Sequence, residues 1–94
     1  MKTGVELIAT EREEQIVKHG KTIKSDVDLN RFDQLSIGAA KLAKPEPTLE
    51  DWVLCPRFWD TDLWDRMLRK PYKDRLVIAG ALIAAEIDRL QAID

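Results

Sequence analysis

The 94-residue chain carries 15 Lys and Arg against 17 Asp and Glu, a formal charge of −2, with one cysteine and one histidine. Acids and bases are interleaved, which argues against a general nucleic-acid binder, since that needs a basic face to displace counterions. A lone Cys55 and a lone His19 exclude an internal disulfide and a Cys/His zinc site within one chain.

A chain of this length forms a single domain, residues 1–94, with a thin core, burying roughly two-thirds of its unfolded surface. Apolar and charged residues are both plentiful while Gly and Pro are few, so composition does not favour disorder. Free cysteine fits a reducing compartment. No basic-then-apolar leader opens the sequence, and the most apolar run, residues 76–85, is about half the length that spans a bilayer. A cytoplasmic protein without a membrane partner is expected.

In chain order, a first helix is predicted over residues 4–19. Thr3 and Glu6 have capping-box spacing at its start, and Gly20 stands where a helix commonly stops. Val5, Ile8, Ala9 and Ile16 recur at helical spacing. Residues 21–30 read as a charged loop. A second helix is predicted over residues 31–43, capped by Asn30, with Phe32, Leu35, Ala39, Ala40 and Ala43 on one face and a stop at Pro45 and Pro47. Residues 46–60 have no clean period and hold Trp52, Cys55, Phe58 and Trp59. A short third helix is predicted over residues 61–69. A fourth runs over residues 71–93, with Pro71 suited to its first position. Only residues 21–23 and 53–54 are candidates for short extended pieces. The expected fold is all-α, with three to four helices, a long apolar C-terminal helix at the core and a tryptophan-rich irregular lid.

The fourth predicted helix is apolar all round over residues 76–85 and must be covered on every side. Either it is the central core helix of a monomer, or a second copy completes its cover and the protein is a homodimer or larger closed assembly. Gly80 and Ala84 permit close helix approach. Glu86 and Asp88 follow on faces that risk burial, where a carboxylate requires a partner.

Arg12 falls within the apolar stripe of the first helix, so it requires an anion: Glu86, Asp88 or a ligand's phosphate. Glu11 and Glu14 share a helix face and, with Asp28 and Glu86, form a candidate Mg²⁺ shell, a pattern similar to the acidic helices of all-α nucleotide pyrophosphohydrolases. Spacing of this kind is also common on solvated helix faces. His19 suits either a C-terminal helix position or a ligand contact. Cys55, before Pro56, reads as a packed thiol. Trp52, Phe58, Trp59 and Trp64, with Arg57 among them, form either a lid over the core or a platform on which a flat ring stacks while arginines take its phosphates.

The two ends resemble a family of small phage and prophage proteins, including those of Bacteroides-type bacteria. The opening Glu6-Leu7-Ile8, Glu11-Arg12 and Gln15 and the closing Ala79-Gly80-Ala81-Leu82-Ile83-Ala84-Ala85-Glu86-Ile87-Asp88-Arg89-Leu90 carry the resemblance. Family members often have a His-Asp-Asp-like segment in the middle; here Ser25-Asp26-Val27-Asp28 lacks the His and separates the acids. The resemblance implies a phage accessory gene and assigns no catalytic residue. The expected function is non-catalytic sequestration of a small anionic, nucleotide-type ligand, plausibly a signal of host antiphage defence. Arg12, His19, Arg31, Trp52, Arg57 and Trp59 are the expected contacts. The alternatives are a Mg²⁺-dependent nucleotide pyrophosphohydrolase and a protein–protein adaptor that blocks a host factor.

Overall fold

Thr3 caps the first helix as its spacing predicts. Its hydroxyl accepts the Glu6 N–H at 3.2 Å and Glu6 Oε1 accepts the Thr3 N–H at 3.0 Å, opening α1, Gly4–Val17. The computed structural model describes residues 1–18 and 23–93. Five further helices follow: α2 (Ile23–Leu29), α3 (Gln34–Leu42), α4 (Leu49–Val53), α5 (Thr61–Leu68) and α6 (Tyr72–Ala92). No strand occurs among the described residues. The all-α class holds, and the described residues form six helical segments where three to four were expected. Gly20, the predicted stop, lies outside the described residues, as do Lys21 and Thr22 of the proposed extended piece.

Three boundaries differ from the sequence expectation, each for a physical reason. Most of the predicted loop is α2. Its seven residues are too few to be stable alone, and a tertiary ion pair at the buried Asp26 ties it down. The next helix starts at Gln34, not Arg31, because Asp33 sits at φ 64° in the left-handed region. Asn30 is therefore no cap; its side chain is used elsewhere. Within the supposedly irregular segment, Thr48 and Asp51 close a second capping box, with Asp51 N–H on Thr48 Oγ at 3.2 Å and Thr48 N–H on Asp51 Oδ2 at 2.8 Å. Val53, a candidate for extended chain, is the last residue of α4.

The core joins Leu35, Ala39 and Leu42 of α3, Trp64 and Leu68 of α5, and Ile78, Ala79, Leu82 and Ala85 of α6. α6 is central: α1, α2 and α3 all pack on it. Trp52, Cys55 and Trp59 are partly buried against the core, while Trp64 is part of it. Trp64 donates its indole N–H to the Asp51 carbonyl at 2.9 Å. Arg75, only 5 % exposed, donates to the carbonyls of Leu42, Lys44, Pro45 and Lys70, and so ties the end of α3 to the start of α6. Pro71 is the N-cap of α6, one position before the place predicted for it. The expectation that α6 is covered on every side fails within one chain: Leu76, Ile83, Ile87 and Leu90 remain 39–50 % exposed. Among the described residues no helix is long and apolar enough to cross a membrane.

Candidate functional site

Two turns bring the candidate residues together. The first, residues 30–33, links α2 to α3. Gln34, with no exposed surface, holds it from below: its Oε1 accepts the Phe32 N–H at 2.7 Å and its Nε2 donates to the Leu29 carbonyl at 3.0 Å. The second, residues 56–59, closes through the Trp59 N–H on the Pro56 carbonyl at 3.0 Å. Phe58 occupies its third position at φ 70°. That is the left-handed conformation which type II turns reserve for glycine, and a bulky side chain there is strained. Trp59 locks the two turns to one another: its indole N–H donates to Asn30 Oδ1 at 2.9 Å.

The lock presents an arginine–aromatic cluster to solvent. Phe32 and Phe58 meet edge to face, centroids 6.0 Å apart, and are 43 % and 74 % exposed. The Arg57 guanidinium lies 4.7 Å from the Phe32 centroid and 5.1 Å from that of Phe58. Arg31 lies 5.6 Å from Phe32. A guanidinium stacked on a ring keeps its in-plane N–H donors, so both cations remain able to take an anion. Among the described residues neither has a carboxylate partner.

Beneath the cluster runs a polar chain into the interior. Asn30 Nδ2 donates to Asp26 Oδ1 at 2.9 Å. Arg12 bridges Asp26 at 3.7 Å and Asp88 at 3.6 Å. Asp88 is thus an anion that Arg12 requires, and Asp26 is a second. Glu86 is not a partner of Arg12: it accepts from Arg89 Nε and Nη2. Those bonds, against the opposing effect of burial, raise the already high pKa of Arg89, and the negative charges of Asp33 and Asp26 add to them.

Of the predicted contacts, the structure brings Arg31 and Arg57 together and sets Trp59 below them as the lock. Arg12 is turned inward, with Asp26 and Asp88 beside it. Trp52 lies apart, with Arg69 at 5.4 Å from its ring. His19 lies outside the described residues. Of the candidate Mg²⁺ ligands, Asp28 is exposed on α2 and Glu86 is engaged by Arg89. Glu11 lines a small cleft with Lys70 and Lys73, and Glu14 pairs with Lys18 at 3.5 Å. Among the described residues no three His, Cys, Asp or Glu side chains gather as a metal shell. The Cys55 thiol donates to the Trp59 carbonyl at 3.5 Å, and burial, with the charge of Asp60, raises its pKa. A thiol held protonated is a poor nucleophile. Phe58 belonged to the expected aromatic platform but not to the named contacts, and Phe32 belonged to neither. An exposed Phe beside Arg in each of two turn-forming stretches was the available signal.

The chain matches no family model, no curated protein and no solved structure.

Proposed function

We propose that this protein is a non-catalytic binding module that takes a small anionic, nucleotide-type ligand on the cluster of Arg31, Phe32, Arg57 and Phe58. One observation carries the reading: two exposed arginines converge on two exposed rings, one of them held in a strained turn. Strain at an exposed aromatic does nothing for packing, and such strain clusters at ligand sites. In this reading the guanidiniums pair with phosphate oxygens and Phe58 offers a face to a base. The resemblance of the chain's ends to small phage and prophage proteins supports a setting in which a nucleotide signal of host defence is the ligand.

Calorimetry against a panel of linear and cyclic nucleotides tests this. Binding in the micromolar range is expected, with Arg57→Gln or Phe58→Ala weakening it at least tenfold while far-UV circular dichroism is unchanged. Both side chains are exposed, so the fold does not depend on them. If no nucleotide binds tighter than about millimolar, near −4 kcal/mol, the reading fails. The adaptor reading then takes its place, because exposed Arg and aromatic side chains are also the usual anchors of protein interfaces.

A further inference from the structure

α6 carries Leu76, Gly80, Ile83, Ile87 and Leu90 at alternating steps of four and three, the period of a helix–helix seam. Ile8 of α1 sits over Gly80; the other four side chains are 39–50 % exposed. No charge interrupts the stripe. Beside it, α1 leaves Val5 79 % and Ile16 37 % exposed. An open groove of about 530 Å³ runs along α1 where it meets α6, lined by apolar side chains of α1, by Arg12 and Glu13, and by Ala84 of α6.

We propose that a second copy of this chain docks on this face, with the two α6 helices antiparallel across a two-fold axis. Three arguments favour a copy over a foreign partner. First, area: six large apolar side chains stand 37–79 % exposed on adjoining faces of α1 and α6, and apolar exposure gathered in one place marks an interface. Second, shape: the ridge of Ile83, Ile87 and Leu90 lies next to the α1–α6 groove, so a two-fold rotation lays each ridge along the other copy's groove, as an isologous interface requires. Third, charge: Lys73 stands exposed in the first turn of α6, on the line of the stripe, where it opposes its own helix dipole. Antiparallel pairing brings it against the negative end of the facing helix.

The interface is separate from the arginine–aromatic cluster, and so is its test. Sedimentation equilibrium from about 5 to 500 µM is expected to give twice the 10.8 kDa chain mass. Ile83→Glu and Ile87→Glu should each weaken the dimer at least 100-fold with unchanged circular dichroism, while Ile83→Leu should retain it. Ile83→Cys with Cys55→Ser should form an interchain disulfide under mild oxidation, a readout that stands even if a Glu variant folds poorly. A monomer throughout the range, a trimer or larger assembly, or a dimer that survives both Glu variants overturns the proposal. Arg57→Gln should leave the mass unchanged.

Discussion

Asp51 is 3 % exposed, yet it is tied into a polar network rather than stranded. Burial pushes its carboxyl pKa up. The Thr48 backbone N–H, Lys44 Nζ and the Thr48 hydroxyl outweigh that and hold it below its ordinary 3.8. A carboxylate with a lowered folded-state pKa contributes stability that is complete above its unfolded value. That stability is lost as pH falls toward the folded value. Thermal melts between pH 7 and pH 2 should therefore show a decline beginning near pH 4. Asp51→Asn should flatten that decline and cost about 1–3 kcal/mol at pH 7; an unaltered acid profile would show that Asp51 does not govern it. The contrast with Arg12 is instructive for reading sequence. A charge on an apolar stripe announces its need of an anion, and Asp88 was legible as one candidate. Asp26 was not, because its seven-residue helix has no period of its own and its burial comes from packing on α6.

At the level of elements, two glycines in helix interiors face different neighbours. A Cβ at Gly38 would lie 2.8 and 2.9 Å from the rigid ring of Trp59, while one at Gly80 would meet Ile8, its Cδ1 at 2.5 Å and its Cγ1 at 2.8 Å. Alanine gains up to about 1 kcal/mol in helix propensity at either site. At Gly80 the Ile8 Cδ1 can swing aside while Cγ1, stiff at χ1 in a helix, gives by a smaller shift, so Gly80→Ala should cost no more than about 1 kcal/mol in urea denaturation. At Gly38 the ring cannot yield without breaking the Trp59–Asn30 bond, so Gly38→Ala should destabilise by about 1–3 kcal/mol. Equal effects would refute this account. The same comparison separates what was legible from what was not. Capping at Thr3 and the extent of α6 are written locally, in residues a few positions apart. The pairing of the turns at residues 30–33 and 56–59 rests on a hydrogen bond spanning 29 positions and on positive φ at two non-glycine residues, Asp33 and Phe58. Neither leaves a periodic trace, which is why the candidate site moved from tryptophans to phenylalanines.

For the whole molecule, α6 is the common wall, and Arg75 fastens it to the rest. Its fork reaches four carbonyls on two other segments, with Lys44 O at 2.6 Å and Leu42 O at 3.0 Å. Lysine keeps the charge but not the planar fork. Arg75→Lys should therefore lower unfolding stability by about 2–3 kcal/mol, since it strands buried acceptors; a loss under about 0.5 kcal/mol would mean that solvent satisfies them. α1, α2 and α3 each have their most extensive packing on α6. Among the described residues, α6 also follows the other helices in chain order. During synthesis on the ribosome, residues 1–71 thus emerge before the helix on which α1, α2 and α3 chiefly pack. The shared core therefore closes only once α6 has been synthesised, so α1, α2 and α3 meet their main packing surface late.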